Sequence, residues 1–325
     1  MLYNRYLPRI YRPALFQGKK NRKGYFEGWY FKLVDSRGDH VWSVIPGVSY
    51  SNDSHSFIQI IHAISGKTYY QSYPIESFYY SRKEFLINVG TNSFSEQKLS
   101  LDVSCEELVL KGEISFGNRH PFPVKLFSPG IMGWYTFVPF MECYHAVVSM
   151  QHELSGSLEI NGTDVGFNGG KGYIEKDWGR SMPTDWIWIQ SNHFKHHEDA
   201  SFMLSLARIP WLKGYFPGFL SYLLINGLVY RFATYNRSQI ELLEVKEEFI
   251  TVVLRNRRYQ LTVKAQRKDG GVLKAPRHGA MERNIKESII STIDLELKNN
   301  QGKLLFSDTG QYSGLEIVGD MEQYF

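Results

Sequence analysis

The densest run of chemically capable side chains lies between Gly170 and Phe194, GKGYIEKDWGRSMPTDWIWIQSNHF. In extended backbone alternate residues share a face, so Glu175 and Asp177 fall together, with Lys176 opposite, before Trp178 and Gly179 end the strand. A carboxyl group enclosed by indole rings loses hydration, keeps its proton closer to neutrality and serves as a general acid. The competing reading is a surface acidic pair, or an ion pair with Lys176 or Arg180. From Trp186 the same alternation puts Trp186, Trp188, Gln190 and Asn192 on one face, and Ile187, Ile189 and Ser191 on the other. Two indoles followed by two amides line an apolar pocket with a few orienting polar groups. A core tryptophan pair with its amides at the wet end of the strand satisfies the same pattern.

Two further blocks carry related chemistry. In YFEGWYFK (residues 25–32) Glu27, Trp29 and Phe31 share a face, again a carboxylate beside an indole. GWYTFVPFMECYH (133–145) supplies Trp134, Phe137, Phe140, Tyr144 and His145, and its Gly133 and Pro139 mark an irregular segment of the kind that caps a barrel. Cys143 and His145 alternate onto one face, though a buried inert thiol accounts for the cysteine equally well. No metal is expected: His193, His196, His197 and Glu198 offer donors but lack HExxH spacing, and no CxxC pair exists. The chain carries no GxSxG elbow, glycine-rich phosphate loop or dinucleotide fingerprint, so no cofactor is expected.

The elements that must position these residues are strands. The 325 residues include 21 Tyr, 21 Phe and 7 Trp, an aromatic share of 15% that favours sheet over helix. Short alternating segments, among them YFEGWYFKLV, FIQIIHAI, KTYYQSYP and LVLKGEISF in the first half, are separated by turn clusters. WIWIQSNHF, FLSYLLI, LVYRFATY and YQLTVKA continue the series in the second half. Asn161-Gly162 and Asn226-Gly227 are hairpin signals that need positive φ at both positions. The strand count predicts a mostly β protein of two consecutive antiparallel barrels, over residues 1–180 and 181–325.

Two cysteines and an N-terminus broken by Arg5, Pro8, Arg9, Arg12 and Pro13 point to a cytoplasmic protein. A net charge of +4 gives no reason to expect a nucleic-acid partner. The charge is uneven, however: Arg5, Arg9, Arg12, Lys19, Lys20, Arg22 and Lys23 all precede the first acidic residue, Glu27. Such an arm suits peripheral contact with an anionic lipid surface. A solvated arm packed over a barrel mouth is the alternative.

At YFEGWYFK, GWYTFVPFMECYH, IEKDWG with WIWIQSNHF, and the terminal SGLEIVG, the sequence resembles the tocopherol cyclase family, and more loosely carotenoid hydratase and related two-domain lipocalin-like proteins. The resemblance implies two lipocalin-like barrels and closure of a chroman ring by adding a phenolic hydroxyl across a prenyl double bond. It implies Asp177 or Glu175 as the proton donor. Trp178, Trp186 and Trp188 would face the developing cation, and Gln190 and Asn192 the quinol oxygens. Glu27, Trp29, Tyr144 and His145 complete the expected ligand contacts. Plant members carry Asn where Asp177 stands, which favours Glu175 as the acid. The expected partner is a hydrophobic small molecule, a prenylated aromatic or other isoprenoid lipid. Two alternatives remain: a non-catalytic isoprenoid carrier, and a carbohydrate-binding module with exposed indoles.

Overall fold

The computed structural model describes residues 8–19, 22–105, 107–211 and 214–324; Arg5 and Lys20 of the basic arm lie outside them. Antiparallel strands dominate, and among the described residues the helices are short 3-10 turns, none long and apolar enough to cross a membrane. Two compact units form, residues 1–182 with 273–284, and residues 183–272 with 285–325.

The first unit holds β1 (Tyr25–Val34), β2 (Val41–Tyr50), β3 (His55–His62), β4 (Lys67–Pro74), β5 (Phe78–Tyr80), β6 (Leu86–Val89), β7 (Asn92–Ser95), β8 (Lys98–Cys105), β9 (Leu108–Gly117), β10 (Cys143–Ile160), β11 (Thr163–Gly166) and β12 (Gly170–Gly179). The sheet runs β4-β3-β2-β1-β12-β10-β9-β8-β7-β6-β5, with β11 beside β10. Each strand sends alternate residues into one core, where Trp29, Phe31, Val44 and Ile60 from one half meet Phe85, Val89 and Phe94 from the other. A sheet whose two halves share a core is curled, which gives the barrel-like form expected. Residues 273–284 pack on this unit: Gln59 donates to the Lys274 carbonyl at 2.9 Å and accepts from the Lys274 amide at 2.8 Å, and Ser49 Oγ donates to Gly279 O at 2.6 Å.

Asn161 and Gly162 take φ of 49° and 83°, the hairpin geometry read from their sequence. HAVVSMQHEL and SGSLEI together form the single long strand β10. The chain passes through Gly156 at φ 119° without breaking, because a Cβ there would lie 2.2 Å from Glu113 O and only glycine lets the strands stay paired.

An irregularity in β10 between Ser149 and His152 turns the imidazole inward, where it lies 4.5 Å from the Phe116 ring and 3.0 Å from Ser149 Oγ. Burial, reinforced by Arg119, lowers its pKa from 6.5 to about 3. The unfolded chain therefore binds a proton below pH 6.5 that the folded chain refuses. Stability falls by about 1.4 kcal/mol per pH unit from this group as pH drops below 6.5 towards 3. Urea unfolding of wild type and His152→Gln between pH 5 and 8 checks this: the variant loses that slope, and an unchanged slope refutes the assignment.

The second sheet is built from β13 (Trp186–Ser191), β14 (His193–Phe194), β15 (Ser201–Trp211), β16 (Gly214–Ile225), β17 (Leu228–Ala233), β18 (Gln239–Val245), β19 (Phe249–Arg255), β20 (Tyr259–Gln266), β21 (Gly271–Arg277), β22 (Ala280–Asn299) and β23 (Leu304–Val318), and it lies in the second unit except for residues 273–284 of β21, β22 and the turn between them. Its order is β17-β16-β15-β13-β23-β22-β20-β19-β18, with β14 on β23 and β21 on β22. Ile187, Ile189, Leu204, Leu206, Val252 and Val263 belong to its apolar core. The strand expected over residues 186–194 is interrupted at Asn192. Opposite it, Tyr312 takes φ 46°, which removes the extended partner the ladder needs, and pairing resumes in the same register at His193 and Gln311.

Candidate active site

The position of β12 between β1 and β10 decides where its side chains go. Ile174 and Trp178 belong to the core of the first unit, and Lys176 shares their face; Tyr173, Glu175 and Asp177 take the other. On that second face the register sets His145 of β10 opposite Asp177, and Tyr30 and Gly28 of β1 opposite Glu175 and Asp177. His145 Nδ1 lies 2.9 Å from Asp177 Oδ1, and Nε2 lies 3.7 Å from Glu175 Oε2. The Tyr173 hydroxyl donates to Glu175 Oε2 at 2.7 Å. Glu175 is 5% exposed. The connection between β9 and β10 passes close by, burying Ile131 and Met132, and the His145 amide approaches Met132 Sδ at 3.2 Å.

One donor atom from each of His145, Glu175 and Asp177 lies within 4.8 Å of the others, a set with the chemistry to hold a divalent cation. The geometry serves a proton more directly. Nδ1 lies within hydrogen-bond distance of Asp177, a contact that a metal ion on that nitrogen would replace, whereas a proton role uses it as it stands. An imidazole held through Nδ1 presents Nε2 as a donor or acceptor according to its charge, the arrangement of a general acid–base pair. Cys143 sits on the same face, its Sγ 3.8 Å from Asp177 Oδ1; burial and the neighbouring carboxylates push its thiol pKa well up, which leaves it an inert thiol.

Trp178, the indole next to Asp177 in the sequence, does not enclose Glu175 or Asp177. Trp178 alternates away from Asp177, into the opposite face. There the carboxylate beside indoles is Glu27, on β1, and its partner is Lys176. Lys176 Nζ lies 2.5 Å from Glu27 Oε1, donates to Pro13 O at 2.8 Å and Leu15 O at 2.5 Å, and sits 4.8 Å from the ring centroids of both Trp29 and Trp178. All three ammonium hydrogens are thus engaged. Glu27 accepts from the amides of Gln17 and Gly18 and from the Tyr25 hydroxyl. Both charges are 0% exposed. Burial lowers the Lys176 pKa to about 8, against the opposing pull of Glu27. The pair pins residues 13–18 over the core.

Beside this pair is a cavity of about 600 Å³, walled by Tyr25, Phe140, Tyr144 and Trp178 and edged by Arg22, Lys23 and Arg180. Tyr144 stacks on Trp178 at 5.5 Å and donates to Val138 O at 2.7 Å, which ties the irregular 133–142 segment to the sheet.

Trp186, Trp188, Gln190 and Asn192 lie in the second unit, all buried, on the face away from Ile187 and Ile189. Trp186 Nε1 donates to Glu316 Oε2 at 2.5 Å. Burial of both indoles overturns the carbohydrate-binding alternative, which required them exposed on a flat outer face. Trp188 lies against Gly314 of β23, where a Cβ would come 2.3 Å from the ring. Gly314→Ala is therefore expected to cost about 1–3 kcal/mol by forcing the indole off its rotamer, read as a lower urea midpoint at unchanged m. A neutral substitution would show that Trp188 is not held there.

Sequence reading left out Tyr173, Lys176 and Met132 as site residues. The signal for Tyr173 was available: Tyr25-x-Glu27 and Tyr173-x-Glu175 are the same pattern, and in both the phenol donates to the glutamate two residues on.

A model of the tocopherol cyclase-like family matches residues 114–319. The chloroplastic tocopherol cyclase of Zea mays is 34% identical over 62 residues, which are 19% of this chain and 13% of that protein. Among solved structures, CghA superposes with a TM-score of 0.56 at 10% identity, covering 91% of this chain and 89% of that one; it has also been solved with Sch210972. Kievitone hydratase from Nectria haematococca gives 0.51 at 9% identity, over 91% and 89% of the two chains. At such identities these two share the fold.

Proposed function

Because the chain belongs to the tocopherol cyclase-like family, we propose that it catalyses acid-promoted cyclisation or hydration of a hydrophobic small molecule carrying an electron-rich double bond, a prenylated quinol or related isoprenoid. The observation that carries this reading is the imidazole of His145 set between Asp177 at 2.9 Å and the buried Glu175 at 3.7 Å. The alkene carbon takes a proton from Glu175, leaving a tertiary cation. The phenolic oxygen, or a water, adds to the cation and loses its proton, which returns through His145 to Glu175. Cyclisation is then a net isomerisation, and hydration adds one water. Asp177 holds the ring and balances its charge when His145 is protonated. Trp186, Trp188, Gln190 and Asn192 keep their proposed role as ligand contacts.

Incubation with a geranylgeranylated or prenylated quinol followed by mass spectrometry tests the reading: a product of equal mass is cyclisation, and one heavier by a water is hydration. Recovery of unchanged substrate alone counts against catalysis. A second reading, a carrier, draws on the 600 Å³ cavity lying on the face of β12 opposite Glu175, where a held ligand is out of reach of the acid. It predicts lipid co-purifying with the protein and returned chemically unchanged.

A further inference from the structure

Residues 118–141 contain no aspartate or glutamate, and neither do residues 8–26. These two segments meet. The Tyr11 hydroxyl donates to Leu126 O at 3.0 Å, the Tyr11 ring lies 6.1 Å from Phe137, and Ile10 and Phe140 line the same cavity. Around that junction large apolar side chains stand in solvent: Phe140 is 93% exposed, Phe127 80% and Leu126 67%, with Trp134 and Phe137 nearly half exposed. Lys19, Arg22, Lys23, Lys125 and Arg180 are exposed on the same two segments and at the cavity edge. Apolar residues on a few neighbouring loops, aromatic for the most part and rimmed mainly by cations, with the half-buried Glu142 beside Arg180 as a carboxylate at the cavity edge, are costly in water and suited to the headgroup region of a bilayer.

We propose that this face docks on a membrane leaflet rich in anionic phospholipid, with Phe127, Phe140 and Leu126 entering the interface and Arg22, Lys23 and Arg180 meeting lipid phosphates at the cavity mouth. Charge decides between occupants. A second copy of the chain would bring two cationic rims together, whereas an anionic leaflet neutralises them. The surface also places the 600 Å³ cavity where an amphiphile leaving the bilayer would enter. The inference stands apart from the catalytic reading, since binding to vesicles is measured without turnover.

Sedimentation with phosphatidylcholine vesicles, with and without phosphatidylglycerol, tests it. The full chain is expected to bind the mixed vesicles and to be released by salt. Arg22→Glu/Lys23→Glu and Phe127→Ser/Phe140→Ser are each expected to weaken binding about tenfold or more while keeping the wild-type melting temperature. The proposal is overturned by three outcomes: no preference for mixed vesicles, binding that survives both double variants, or a solution dimer that Phe127→Ser/Phe140→Ser dissolves, which would make a second copy the occupant.

Discussion

Turnover of a prenylated quinol by His145→Ala is expected to fall by about 10²- to 10⁴-fold, with KM changed little, because the ring moves a proton and the substrate is held by other groups. Glu175→Gln should fall in the same range. Its amide oxygen still accepts from Tyr173, so the strand face is preserved while the transferable proton is gone. Asp177→Asn is the informative control. The side chain keeps an oxygen for Nδ1–H and loses only the charge, so its effect measures how much of the activity depends on stabilising an imidazolium. The double variant His145→Ala/Asp177→Asn should be no slower than His145→Ala alone if Asp177 acts through the ring. Additive losses would give Asp177 a separate role. Steady-state kinetics with circular dichroism of each variant separates chemistry from misfolding.

The second large effect is on stability. Lys176→Met leaves the Glu27 carboxylate at 0% exposure without its counter-charge. Removing one partner of a buried ion pair costs about 3–5 kcal/mol, so the variant's urea midpoint should drop sharply. Glu27→Gln should do the same from the other side, and should also free residues 13–18, whose Gln17 and Gly18 amides rest on that carboxylate. Limited proteolysis within those residues reports that release. The two changes together should cost less than their sum, since neither leaves a lone charge. If Lys176→Met keeps the wild-type midpoint, the pair is not what closes this end of the core.

Much of the fold was legible because strands announce themselves locally. The alternation in YFEGWYFKLV correctly sent Glu27, Trp29 and Phe31 to one face, and Asn226-Gly227 takes φ of 49° and 74° as its sequence requires. What remained hidden depends on partners distant in sequence. Nothing near Lys176 says that β1 will lie beside β12, and without that pairing the lysine reads as an outward-facing neighbour of Asp177. The interruption at Asn192 is set by Tyr312 on β23, not by any residue in WIWIQSNHF. Trp178 turns away from Glu175 for a related reason. Trp178 is an odd number of positions from both carboxylates, so the alternation that pairs Glu175 with Asp177 also sends the indole away. His145 was picked out with its neighbour Tyr144 as a ligand contact, yet its place between two carboxylates needed the register of β10 on β12.

The central claim is that Glu175, through His145, supplies and recovers the proton. The most direct test is a single-turnover reaction with a prenylated quinol in deuterated water, wild type beside Glu175→Gln. The account predicts a wild-type product carrying one deuterium on the carbon that was protonated, and no product from the variant in the same interval. Product formation by Glu175→Gln at the wild-type rate, or an unlabelled wild-type product, would contradict it.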